Sequence, residues 1–219
     1  MRKLRLSTFV TLDGVMQAPG GPTEDWTGGF SYGGWLAPHF DETVGEMMEG
    51  WIGRDYDLLL GRKTYEIFAA HWPEQDDEIG RTFNAIEKFV VAGPATPLTW
   101  ANSHRLEGEP GEAVRRLKTS GDRDLLIQGS GELVQALLAA DVIDEISLMV
   151  FPVVLGQGKR LFRDGVGASA WRMIGTRHSP SGVTCSRYVR AGQVETAAIA
   201  PQAQNDREAA RQERMRREG

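Results

Sequence analysis

Residues 56–70 read YDLLLGRKTYEIFAA: a compact apolar run from Tyr56 to Leu60, a stop at Gly61, then a helical stretch from Thr64 to Ala70. A short apolar run bounded by glycine is a buried strand, and a strand passing through a tight turn into a helix is the building unit of α/β folds. The unit returns further along the chain. DLLIQ at 124–128 leads through Gly129-Ser130-Gly131 into a helix carrying Leu133, Val134, Leu137 and Leu138. Lys88 to Ala92, KFVVA, is a third short strand of the same kind. Strands apolar along their whole length suit a sheet covered on both faces.

The remaining chain fits around these units. Leu4, Leu6, Thr8 and Val10 alternate with Arg5, Ser7, Phe9 and Thr11, which gives a first strand. From Asp13 to Trp35 glycines and two prolines exclude a helix or a long central strand, while Trp26, Phe30, Tyr32 and Trp35 are too many aromatics for a disordered linker. The expectation is an ordered functional loop, a lid. Pro38 is expected to open a helix whose apolar face is Phe40, Val44, Met47, Met48 and Trp51. A helix from Glu112 to Lys118 precedes DLLIQ, and Ile143 to Val154 is the longest strand-forming run. Segments 171–178 and 183–190 form a hairpin around Ser179-Pro180-Ser181-Gly182, so the sheet should end antiparallel. Residues 1–194 thus read as one α/β domain, and 195–219 as a polar, charged tail, disordered or a solvated helix.

Composition narrows the function classes. The 219 residues carry a formal charge of −5, against a nonspecific binder of nucleic acid, and no stretch is long and apolar enough for a membrane span. The amino terminus lacks the apolar run of a signal peptide, and Cys185 is the only cysteine, so no internal disulfide and no multi-cysteine metal site can be built. Cys185 reads as a buried strand thiol. His39, His71, His104 and His178 share no metal-ligand spacing. The expectation is a soluble cytoplasmic protein that binds a small molecule and no metal.

Two turns carry chemistry. At Gly61-Arg62-Lys63-Thr64 a glycine allows close backbone approach, the helix start offers free N–H groups, and a hydroxyl and two cations suit a phosphate. At Gln128-Gly129-Ser130-Gly131-Glu132-Leu133 a second glycine turn opens a helix, although Val134 breaks the Gly-x-Gly-x-x-Gly pattern. A capped helix with solvated bases explains either turn alone. Taken together, two such turns in one small domain favour a nucleotide with several phosphates.

At this point the chain resembles the dihydrofolate reductase superfamily, particularly the bacterial branch that includes the reductase domain of riboflavin biosynthesis. The resemblance rests on Thr11-Leu12-Asp13-Gly14, on Gly61-Arg62-Lys63-Thr64-Tyr65-Glu66, on Gln128 to Leu133, and on PVVLGQGKRLF at 152–162, in that order. It covers residues 3 to 190. It implies a three-layer α/β/α fold with a mixed, mostly parallel eight-stranded sheet, NADPH as hydride donor, and a heterocyclic imine or ribosylaminopyrimidine substrate. By position, Arg62 and Lys63 would lie near the adenosine 2′-phosphate and Thr64 at the pyrophosphate. Gly129, Ser130, Gly131, Glu132 and Leu133 would supply backbone N–H groups, and Ala92 would line the same edge after its strand. Glu132 stands where many folate-reducing members carry a base. A homodimer is common in the branch.

Reduction of a C=N bond needs a proton from an acid or an oriented water. Asp13 at the end of the first strand, and Asp41 and Glu46 in the 38–51 helix, are the candidate acids; an ordinary Asp-Gly turn competes for Asp13, while a favourable helix start accounts better for Asp41 and similarly for Glu46. Lys159, Arg160 and Arg163 are available to a substrate phosphate or to solvent. The competing class is a protein that binds or sequesters a nucleotide without turning it over.

Overall fold

Leu59, Leu125, Ile127, Leu4, Leu6 and Val10 share one hydrophobic cluster, while their neighbours Leu58, Leu60, Leu126 and Phe9 pack into clusters on the other side. This strand alternation is what makes the sheet a middle layer. The computed structural model describes residues 1–52, 55–199 and 205–218. Its strands are β1 Leu4–Thr11, β2 Tyr56–Gly61, β3 Lys88–Val91, β4 Ser103–Leu106, β5 Asp124–Gln128, β6 Glu145–Phe151, β7 Ala170–His178 and β8 Thr184–Gly192. They form one sheet in the order β4-β3-β2-β5-β1-β6-β8-β7. Every pair from β4 to β6 is parallel, whereas β6 with β8 and β8 with β7 are antiparallel. The mixed, mostly parallel sheet with an antiparallel carboxyl-terminal hairpin is therefore present.

The helices are α1 Glu42–Ile52, α2 Arg62–His71, α3 Glu78–Ala85, α4 Pro110–Lys118, α5 Gly131–Ala139 and α6 Asp206–Glu218. Val114 and Leu117 of α4 and Leu133, Val134 and Leu137 of α5 cover one face of the sheet. On the other face lie Val44 and Met47 of α1, Tyr65 of α2 and Phe83 of α3. Leu58, Leu59 and Leu60 are wholly buried, each worth about 1.5–3 kcal/mol of transfer free energy. The chain leaves β1 in one direction through α1 and leaves β5 in the other through α5, so the winding reverses beside β5. In open α/β sheets that reversal opens a crevice at the carboxyl ends of the strands.

Several expectations are corrected here. The first long helix starts at Glu42, not at Pro38: Ala37–His39 is a short 3-10 turn, and Asp41 Oδ1 accepts the Val44 amide at 2.8 Å as the cap. Phe40 consequently stays exposed, and the side chain of Trp51 lies outside the described residues. The 13–35 loop, expected to be ordered, is packed against the body of the domain. Val15, Met16, Ala18, Phe30 and Trp35 are buried, and of its aromatics only Trp26 and Tyr32 face solvent. Two elements were not expected: α3, capped by Asp77, and the four-residue edge strand β4. The last helix, α6, has no buried residue, and none of the described helices is long and apolar enough to cross a membrane.

Candidate functional site

Because β2, β5 and β1 are parallel neighbours, their carboxyl ends bring the two glycine turns and the 13–35 loop to one edge. The turns are laced together. The Gly61 amide donates to Ser130 Oγ at 3.0 Å, and the Ser130 amide donates to Thr64 Oγ1 at 2.9 Å. Gly129 and Ser130 are both left-handed, with φ of +62° and +56°, which lifts the backbone of the second turn toward the first. Such a conformation is strained for serine, and the two hydrogen bonds hold it in place.

Neither α2 nor α5 has a side-chain cap at its start. The first-turn amides, Arg62 to Thr64 and Gly131 to Leu133, therefore have no partner within their helices, and the positive ends of two helix dipoles meet at the braced turns. Thr64 and Ser130 each accept one bond there and keep a hydroxyl hydrogen to donate. A Cβ at Gly131 would lie 3.4 Å from Met16 Sδ and 3.6 Å from Arg163 Nη2, ordinary contact distances that place both side chains beside the second turn. Arg62 is exposed and paired with Glu66 at 2.8 Å, and Lys63 is exposed beside it. Ala92 is half-buried, its carbonyl held by Arg105 at 3.1 Å.

The hydrogen bonds and ion pairs of the three candidate acids are made away from these turns. Asp13 accepts from Thr11 Oγ1 at 2.6 Å, from the Gly156 amide at 2.9 Å and from the Leu155 amide at 3.2 Å, with Arg160 3.4 Å away. Burial alone would raise its pKa, but the Thr11 hydroxyl and the two amides outweigh it and bring the carboxyl down to about 2. Its hydrogen bonds tie the end of β1 to the 152–163 segment. Asp41 spends one oxygen on the Val44 cap and the other on the Ser181 amide at 3.1 Å, and these bonds lower its pKa, the Val44 amide first. Glu46 is exposed and pairs with Arg177 at 3.3 Å. The last two acids thus face the β7–β8 hairpin.

The segment 152–163 closes the site from the far side of β1. Val15 forms a β-bridge with Arg160, Met16 N donates to Lys159 O at 2.9 Å, and Leu161 N donates to Gly14 O at 2.9 Å. Gln17 takes the Lys159 amide on its Oε1 and donates to the Asp25 and Thr27 carbonyls, while Lys159 Nζ meets Asp25 Oδ2 at 2.5 Å. These contacts were not read from the sequence, where Gln17 and Asp25 carry no pattern of their own. A cavity of about 280 Å³ lies between the two loops, lined in part by Gln17, Phe30 and Lys159. A larger groove of about 400 Å³ runs between β4 and α4, and neither cavity is lined by the glycine turns.

With this geometry in hand, comparison with known proteins is decisive for the family: residues 2–185 match the RibD C-terminal domain. The chain belongs to that family. The protein YwjB of Bacillus subtilis (strain 168), itself uncharacterized, is 30% identical over 198 residues, covering 87% of this chain and 99% of YwjB. Among solved structures, a putative riboflavin biosynthesis protein from Shewanella sp. PV-4 superposes with a TM-score of 0.63 at 19% identity, covering 86% of this chain and 99% of that one. Enterococcus faecalis dihydrofolate reductase complexed with NADP(H) gives 0.56 at 11% identity, covering 86% and 96%. At those identities the likeness is one of fold, and it places this RibD C-terminal domain within the dihydrofolate reductase-like architecture.

Proposed function

We propose that this chain is an NADPH-dependent reductase that transfers hydride to a small heterocyclic or ribosylaminopyrimidine substrate. The observation that carries the reading is the pair of uncapped helix starts braced through Ser130 at the carboxyl ends of adjacent parallel strands. The donor set fits a dinucleotide: six first-turn amides and two hydroxyls for the pyrophosphate, and Arg62 and Lys63 for a 2′-phosphate. Bound there, the nicotinamide supplies the hydride. Family membership and the NADP(H)-bound dihydrofolate reductase of the same fold support this assignment.

The chain's own work is binding, orientation and exclusion of water. Thr64 and Ser130 fix the spacing of the two turns, and Met16 with the buried base of the 13–35 loop covers the second. Fixing donor against acceptor in a dry site supplies much of the rate advantage such an enzyme needs. Asp13 holds the 152–163 segment in place and acts as a positioning residue, so the proton for the reduced nitrogen comes from water. Residues 1–194 are the reductase unit, and 195–219 an appendage to it.

A second reading, nucleotide binding without turnover, draws on the partners of Asp13, Asp41 and Glu46, each of which is bonded to groups outside the glycine turns. Titration with NADPH and with NADH, followed by tryptophan fluorescence, tests the cofactor site. Binding that favours NADPH and loses that preference in Arg62→Ala is the expected result, and binding of neither nucleotide removes the proposal. NADPH consumption across a panel of pyrimidine and pterin substrates then separates an enzyme from a binder.

A further inference from the structure

Arg163 comes from a part of the chain remote from both glycine turns, yet it reaches the start of α5. Its Nη1 donates to Glu132 Oε1 at 2.7 Å, and its Nη2 lies 3.6 Å from where a side chain at Gly131 would begin. Two tethers fix its approach. Gln135 of α5 donates to Leu161 O at 2.6 Å, and Leu161 N is held by Gly14 O, so the backbone two residues before Arg163 is tied to α5 on one side and to the 13–35 loop on the other. Only a third of the Arg163 side chain is exposed, against three quarters of Glu132. Arg163 is thus partly buried and held in place from its backbone, while its carboxylate partner stands mostly in solvent.

That asymmetry is informative. A largely exposed ion pair contributes little stability, about 0–1 kcal/mol, so the pair is cheap to open. Arginine presents a flat fork of donors that fits two oxygens of a phosphate as well as those of a carboxylate. Here the fork stands at Gly131 and Glu132, in the uncapped first turn of α5, whose free amides also seek negative charge. The anion that meets the fork in the structure is the carboxylate of Glu132.

We propose that Arg163 is the pyrophosphate-binding cation of this site and that Glu132 is its resident counter-ion, a carboxylate that gives way when a dinucleotide binds. The inference rests on the reading that the two turns hold a dinucleotide. It assigns the cations distinct tasks: Arg62 and Lys63 discriminate NADPH from NADH, whereas Arg163 grips the part that both nucleotides share. Glu132 lowers the affinity for both, because its pairing with Arg163 must be broken first.

The test is the binding of NADPH and NADH to the full chain and to Arg163→Ala, Arg163→Lys and Glu132→Gln, by calorimetry at low and high salt. Arg163→Ala is expected to weaken both nucleotides by the same factor, about ten-fold or more for a lost charge-assisted pair, with partial recovery in Arg163→Lys. Glu132→Gln is expected to tighten both by about two- to five-fold at low salt, with the gain shrinking at high salt. A gain in affinity cannot come from misfolding, so this variant keeps the test sound even if Arg163→Ala is unstable. Unchanged binding in Arg163→Ala, a loss confined to NADPH, or weaker binding in Glu132→Gln overturns the inference and leaves the cofactor site standing. If the unmodified chain binds neither nucleotide, the reductase reading falls and this one falls with it.

Discussion

Replacing Asp13 by Asn tests whether that carboxylate is an anchor or an acid. The carboxyl is four-fifths covered and its pKa lies near 2 rather than the ordinary 3.8. At about 1.4 kcal/mol per pKa unit, the shift corresponds to about 2 kcal/mol of stabilisation once the exposed fraction is allowed for. The folded-state pKa is depressed, so this stabilisation is fully present above pH 4 and is lost as pH falls toward 2. Asparagine keeps one acceptor oxygen but turns an NH2 group toward the Gly156 or Leu155 amide, and it carries no charge at any pH. In a chain of this size a loss of 2 kcal/mol lowers the melting temperature by about 4–8 °C at pH 7. Denaturant melts of both proteins at pH 7, 4 and 3 measure the gap, which should narrow as the wild-type carboxyl protonates. A gap independent of pH refutes the electrostatic account. Unchanged stability with complete loss of NADPH-dependent turnover refutes the anchor itself and returns Asp13 to the chemistry.

Two other substitutions probe the frame of the site. Thr64→Val strips the acceptor from the Ser130 amide and leaves a part-buried donor unpaired, so it should cost about 1–3 kcal/mol in denaturant melts and also weaken nucleotide binding; unchanged stability would mean that the turns are not braced through Thr64. Gly158 has φ of +118°, and an added Cβ would sit 2.7 Å from Val15 Cγ1 and 2.9 Å from Phe30 Cε2. Gly158→Ala is therefore expected to lose about 2–3 kcal/mol and to expose Trp35 to fluorescence quenchers, and a wild-type melt would contradict the close packing of the two loops.

The parallel half of the sheet was legible because its strands are continuous apolar runs closed by glycine, a local signal that needs no partner to be read. The start of α1 was not, since the spacing from Phe40 onward is helical while the chain there is held in a 3-10 turn by Pro38 and released into the helix only by the Asp41 cap. Strand β4 is short and lies at the edge, and α3 has too few apolar residues to declare a period. At the site, the glycine turns announce themselves by composition, but what joins them is a serine in an unfavourable conformation, which no propensity predicts. Asp13 was found by position, but its partners at Leu155 and Gly156 were not, because they are contacts between distant segments. Arg163 stood out only as a base in a loop; its meeting with Glu132 depends on the packing of the 152–163 segment against α5.

The strapping of the 13–35 loop to the 152–163 segment bears on the order in which the molecule is made. The bonds from Asp13 and Gln17 to Leu155, Gly156, Lys159 and Arg160 span 142 to 147 residues. Closures of that span form late, after the local strand–turn–helix units have assembled. During synthesis from the amino terminus, the first glycine turn emerges long before the segment that must lie across the loop beside it. A chain ending before residue 152 would hold both glycine turns and all six parallel strands, yet the 13–35 loop would lose its straps to Leu155, Gly156, Lys159 and Arg160. If the proposed nucleotide site is correct, its affinity should accordingly be acquired among the last events of refolding, a slow phase that lags the recovery of helical signal.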